Sequence, residues 1–119
     1  MEDAATFDLG ETLALVDHDW ETFQMMVELF TEQGPKDLAA IHASMAGGDA
    51  AALARAAHRM KGALLQFCAP AALAAARSLE EAGQTGMLQG ATERCAVLET
   101  ELRHLWAMLR RVIEQRGSV

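Results

Sequence analysis

Apolar residues recur along this chain at spacings of three and four, and no two-residue alternation of a half-buried strand competes with them. The pattern therefore predicts helices throughout. Phe7 to Val16 reads as a short first helix with Asp8 as a candidate cap. A second begins near His18-Asp19, where Asp17 or Asp19 can accept from the free N–H groups, and it turns Phe23, Met26, Val27 and Phe30 inward. Gly34-Pro35 interrupts this stretch, because proline removes a backbone hydrogen bond and crowds the preceding turn. The apolar phase resumes at Leu38, Ile41 and Met45, so one kinked helix is expected here rather than two.

Gly47-Gly48 ends that helix and Asp49 caps a third, expected from Ala50 to about Cys68. Pro70 suits the first turn of a fourth over Ala71 to Ala82, with Leu73, Ala76 and Leu79 inward and Gly83 and Gly86 marking the turn that follows. The last helix carries Ala91, Cys95, Leu98, Leu102, Leu105, Leu109 and Val112, spaced four and three in alternation, which is the seam of a long packed helix. The expected fold is all-α: an antiparallel, up-down-up-down four-helix bundle over residues 18–116. A short N-terminal helix in 1–17 joins it, all within a single domain spanning 1–119.

Length supports one domain, since 119 residues are too few for two comfortable cores. No apolar run reaches the roughly 18 residues of a membrane span and no signal-like segment opens the chain, so a cytoplasmic location is expected. Cys68 and Cys95 fall in helical apolar patterns and read as buried free thiols. The net charge of −7 argues against nucleic acid as a partner. Its distribution adds more: residues 1–49 hold eleven acids and one base, whereas residues 50–119 hold six acids and nine bases. Between Ala50 and Leu79 there is no acid at all, while Arg55, Arg59, Lys61 and Arg77 are present. An anionic group or partner surface is one reading of this basic stretch, and a solvated helix face is the other.

The third helix holds the most informative residue, His58. At about 100° per residue, Leu53, Ala57, Met60, Leu64 and Phe67 fall within about 40° of one direction and form its core stripe, whereas His58 points roughly 140° away. Lys61, Ala54 and Leu65 lie at about 80°, 100° and 120° from the stripe, with Gly62 near 180°. Ala54 and Gly62, both small, flank the imidazole one turn below and above, so another molecule can approach it closely. A helix avoids an interior glycine at a cost of roughly 1 kcal/mol against alanine, so Gly62 asks for a reason. A neutral imidazole is a competent nucleophile near neutral pH, and attack through Nε2 requires Nδ1 to carry the proton toward an acceptor. Lys61 can place positive charge beside a phosphoryl group, and exposed Leu65 supplies apolar contact for a docking partner.

Competing chemistries find little support. His18, His42 and His104 read as a helix-start residue and two flanks of apolar seams, and none forms HExxH or another compact metal pattern, so no metal site is expected. Gly47-Gly48 lacks the Lys-Ser/Thr of a phosphate loop, and Ser44 and Ser78 have no triad context. Three other readings stay open on residues alone: a helical adaptor that docks partners without carrying phosphate, a bundle that binds a metal or cofactor internally, and self-association through the Leu65 and Trp106 sides.

The string Ala57-His58-Arg59-Met60-Lys61-Gly62, centred in the third helix of a bundle this size, resembles the signature of histidine-containing phosphotransfer (HPt) domains. The family pattern is His-x-Leu-Lys-Gly followed by a later Gly-Ala; here Met60 stands for the leucine and Cys68-Ala69 for the Gly-Ala. The likeness runs from the helix holding Phe30 to Leu79-Glu80 and the final helix. It implies a relay that accepts a phosphoryl group from a receiver-domain aspartate of a hybrid histidine kinase and passes it to the receiver of a response regulator. On that resemblance His58 is the phosphoacceptor, Lys61 its positive neighbour, Gly62 the residue permitting close approach, and Glu80 the hydrogen-bond partner of the non-reacting nitrogen. Ala54, Arg55, Arg59 and Leu65 would form the docking face. The chain would bind no cofactor of its own, with Mg²⁺ supplied by the receiver, would lack kinase activity, and would be monomeric.

Overall fold

The structure, a computed structural model, describes residues 7–117; the remainder of the N-terminal region expected at 1–17, and residues 118–119, lie outside the described residues. Five helices follow in order: α1 (Leu9–Leu15), α2 (Trp20–Ala46), α3 (Ala50–Leu64), α4 (Pro70–Thr85) and α5 (Ala91–Gly117), with no strand among the described residues. Helices α2 to α5 pack in sequence as a four-helix bundle, and α2 closes it against α5 along the shortest seam of the four. The molecule is elongated, 48 × 26 × 21 Å.

The starts of the helices are written locally. The Asp8 carboxylate accepts from the Glu11 N–H, Asp19 from Glu21 and Asp49 from Ala52, each satisfying a donor with no intrahelical partner. Pro70 sits in the first turn of α4 as expected. Helix α1 is pinned to the loop after α3. The Thr12 hydroxyl, fully buried, donates to the Phe67 carbonyl at 2.9 Å, and the Asp8 N–H donates to the Cys68 carbonyl at 3.1 Å.

The predicted α3 stripe of Leu53, Ala57, Met60, Leu64 and Phe67 is wholly buried, as are Leu98, Leu102 and Leu105 of α5. Each such leucine contributes about 1.5–3 kcal/mol of transfer free energy.

Several expectations need correcting. Helix α3 ends at Leu64 rather than near Cys68, because the chain turns there and Cys68 adopts φ +49°, in the left-handed region. That conformation is the one glycine takes without strain, which accords with the glycine that the family resemblance places at this position. Cys68 is also only half-buried, unlike Cys95. Helix α2 does continue through Pro35, and its Gly34 has a purpose the sequence hid. A Cβ there would lie 2.6 Å from Cζ2 of Trp106, so the indole seats directly on the α2 backbone. Trp106 stacks on Phe30 at 5.3 Å between centroids and is half-buried, which leaves Leu65 as the exposed member of the pair expected to drive self-association.

The largest correction concerns Gly83. It lies inside α4, not in the turn, which falls to Gly86 with φ +74°. A Cβ on Gly83 would meet Ala54 N at 2.5 Å, Ala50 O at 2.7 Å and Ala54 Cα at 2.8 Å. Helices α3 and α4 therefore touch backbone to backbone at this point, three residues after Glu80 on α4.

Candidate functional site

Close contact between α3 and α4 decides what surrounds His58. The histidine side chain is 66% exposed, yet its Nδ1 lies 2.7 Å from Oε2 of Glu80, whose side chain is only 11% exposed. The other carboxylate oxygen, Oε1, lies 2.7 Å from Nζ of Lys61, itself 24% exposed. One nearly buried carboxylate thus holds the imidazole with one oxygen and the ammonium with the other. A buried carboxylate needs such partners, since desolvating an unpaired charge is costly.

The protonation pattern follows. The Lys61 hydrogen bond holds the Glu80 carboxyl below the usual carboxylate range against the upward push of burial, and the His58 hydrogen bond adds to the lowering. An ionised carboxylate only accepts, so the proton of a neutral His58 ring must sit on Nδ1. Nε2 then keeps its lone pair and is the nitrogen left for chemistry. The same arrangement orients the imidazole and offsets positive charge developing on it.

Around this pair the surface is open. A depression of ≈ 400 Å³ is lined by Ala54, Arg55, His58, Arg59, Glu80 and Gln84. Ala54, Arg55 and Arg59, expected at the docking face, are all there. Leu65 is exposed but lies apart, in a separate groove with Glu11, Cys68 and Leu73. A Cβ on Gly62 would meet nothing within 4 Å, so no internal packing requires this glycine. Arg59 turns out to be tied down: its Nε lies 3.5 Å from Oδ1 of Asp37, a buried α2 carboxylate that also accepts from Gln33. Arg55 makes no ion pair among the described residues and presents the freer charge.

Gln84 was missed because the fourth helix was expected to stop at Ala82; its i, i+4 relation to Glu80 becomes visible only once α4 is extended to Thr85. Gly83 was missed because glycines three apart read as a turn.

The described residues thus form a four-helix bundle that presents one solvent-facing histidine, held by an ionised carboxylate from the neighbouring helix. The family model described as Hpt domain matches residues 25–110 of the sequence, and the chain belongs to that family of phosphorelay histidine phosphotransfer proteins. The fold is similar to that of the crystal structure of histidine-containing phosphotransfer protein B (HptB) from Pseudomonas aeruginosa PAO1. The TM-score is 0.85 at 23% identity, over 92% of this chain and 95% of that one. Comparison with curated proteins finds no match. Among the described residues, no helix is long and apolar enough to cross a membrane.

Proposed function

We propose that this chain relays a phosphoryl group between receiver-domain aspartates of hybrid histidine kinases and response regulators, with His58 Nε2 as the carrier atom. The 2.7 Å contact between His58 Nδ1 and Glu80 carries this reading, because it fixes the tautomer that leaves Nε2 nucleophilic. In the accepting step the Nε2 lone pair attacks the phosphorus of an aspartyl phosphate in line. The P–N bond forms as the P–O bond to aspartate breaks, and the aspartate leaves as a carboxylate. The Nδ1 proton stays on the ring, which becomes cationic beside Glu80. Attack by a second receiver aspartate reverses the sequence and returns the lone pair to Nε2.

The receiver supplies Mg²⁺ and most of the charge stabilisation at the transferring group, so this chain contributes positioning rather than a cofactor of its own. Lys61 holds Glu80 ionised and adds positive charge close to the ring. Arg55 and the depression beside His58 steer an acidic receiver surface into place, with Ala54 and Gly62 leaving it room and Leu65 adding apolar contact at the margin. Such a relay works in the cytoplasm as a monomer and engages neither nucleic acid nor membrane.

Incubation with phosphorylated receiver domains should yield acid-labile phosphate that peptide mapping places on His58 and not on His18, His42 or His104. A stable receiver complex with no phosphate on His58 would sink the relay and leave the adaptor. Gly62→Ala gives a second expected result with opposite signs in two assays. Filling an open helix position should stabilise the fold by up to about 1 kcal/mol. The same methyl group stands beside the ring, so transfer to a receiver should slow. A variant as fast as the parent would show that the glycine does not serve access.

A further inference from the structure

On the seam opposite His58, α2 and α5 bring together three side chains that the relay does not use. Cys95 and Glu99 stand one turn apart on α5 and so share a face. His42 reaches across from α2. Its Nε2 lies 3.4 Å from Oε2 of Glu99, and Sγ of Cys95 lies 3.7 Å from Oε1 of the same carboxylate. Taking one ligand atom from each residue, all three lie within 4.8 Å of one another.

These separations have a chemical meaning. Tetrahedral zinc binds imidazole nitrogen and carboxylate oxygen at about 2.0–2.2 Å and thiolate sulfur at about 2.3 Å, which sets the edges between donor atoms at about 3.3–3.8 Å. The His42 and Cys95 contacts have the lengths of such edges but end on different oxygens of Glu99, so binding through one carboxylate oxygen draws together three donors that already lie within 4.8 Å of one another. The donor set is also selective: one soft sulfur, one imidazole and one carboxylate suit Zn²⁺, whereas Mg²⁺ and Ca²⁺ call for oxygen alone. Burial is graded in the sense a metal site requires. Cys95 is buried, Glu99 is half-buried, and His42 lies at the surface, so an ion can enter from the His42 side.

We propose that His42, Cys95 and Glu99 form a tetrahedral Zn²⁺ site with three protein ligands and a fourth position open to water. On binding, the Cys95 thiol releases its proton to solvent and coordinates as thiolate, His42 coordinates through Nε2 with its proton on Nδ1, and no electrons change hands. Thiolate and carboxylate together balance the charge of the ion. The site ties α2 to α5 across the shortest seam of the bundle, away from the α3–α4 face that carries His58. Its consequence is therefore mechanical: the ion acts as a clamp on the fold, independent of phosphoryl transfer.

The test uses the full chain stripped of metal by a chelator and then titrated with Co²⁺ as a spectroscopic probe. One Co²⁺ per chain should bind with the visible bands of tetrahedral cobalt and a thiolate-to-metal charge-transfer band, and one equivalent of Zn²⁺ should displace it. Competition with a chromophoric chelator should give a Zn²⁺ dissociation constant of about 1 µM or tighter. His42→Ala, at an exposed position, should weaken Zn²⁺ binding by more than about 100-fold, beyond what loss of an outer-sphere partner produces. Cys95→Ser should abolish the charge-transfer band, while Cys68→Ser should leave it intact. Zn²⁺ should raise the Tm of the parent and not that of His42→Ala, and His42→Ala should transfer phosphate at the parental rate. Weaker binding than this by the parent, absence of the thiolate band, or affinity that survives His42→Ala would overturn the site while leaving the relay reading untouched.

Discussion

Gly83→Ala should both destabilise the domain and slow phosphoryl transfer, although residue 83 touches neither the histidine nor a partner. A methyl group there would sit 2.5–2.8 Å from backbone atoms of Ala50 and Ala54. Backbone cannot swing aside as a long side chain can, so α4 must retreat from α3 by roughly 1 Å to restore ordinary contact. Overpacking of this kind costs about 1–3 kcal/mol, offset in part by the better helix propensity of alanine. A fall in Tm of several degrees is expected for a domain of this size. The second effect follows from position. Glu80 stands less than one turn from Gly83 on the same helix, and a shift of that size would break the 2.7 Å contact to His58. Misplacement by 1 Å can cost about 100-fold in rate. Thermal unfolding and single-turnover transfer from a phosphorylated receiver would measure both effects. A stable Gly83→Ala protein with parental transfer would show that the interhelical distance is not critical.

Glu80→Gln should have the other large effect, with a pH signature. The amide keeps the shape but cannot balance charge on the ring, and it can present an N–H to Nδ1, which permits the wrong tautomer. Transfer should fall by about 100-fold. Lys61 also loses its counter-ion, and because water reaches part of its side chain the stability loss should be about 1–3 kcal/mol rather than that of a fully buried pair. The sign of the pH dependence is fixed by the lowered pKa of Glu80. Its folded value lies below the ordinary 4.5, so the stability it contributes is complete above that pH and is lost as pH falls toward the folded value. Denaturant unfolding should therefore show a gap between parent and variant at pH 7 that closes below about pH 4.5. A gap that persists unchanged to pH 3 would rule out the ionised carboxylate as its source.

What the sequence disclosed was local. Caps at Asp8, Asp19 and Asp49 and the proline at α4 show themselves because the groups they satisfy lie within a few residues. The α3 stripe and the outward histidine follow from helical geometry alone. What it concealed was distant. Gly34 and Gly83 read as breakers, and only the opposing indole and the opposing α3 backbone reveal that both are seats for close packing. Asp37 belongs to no sequence motif, and only the packing of α2 against α3 sets Arg59 beside its buried carboxylate. The His58–Glu80 pairing was expected through family resemblance, since no spacing rule links positions 22 apart on two helices. His42, Cys95 and Glu99 form no sequence motif because their separation of more than fifty residues is closed by the bundle itself.

Glu80 engages Nδ1 of the imidazole and leaves Nε2 as the ring nitrogen free for chemistry. In the proposed relay, a carrier with one exit would serve its two clients in turn. Donor and acceptor receivers would compete for the same surface around Nε2, and the exchange would run as a ping-pong cycle without a ternary complex. An excess of unphosphorylated acceptor would then inhibit loading. The relative abundance of the two receivers, as much as their affinities, would set the rate of such a relay.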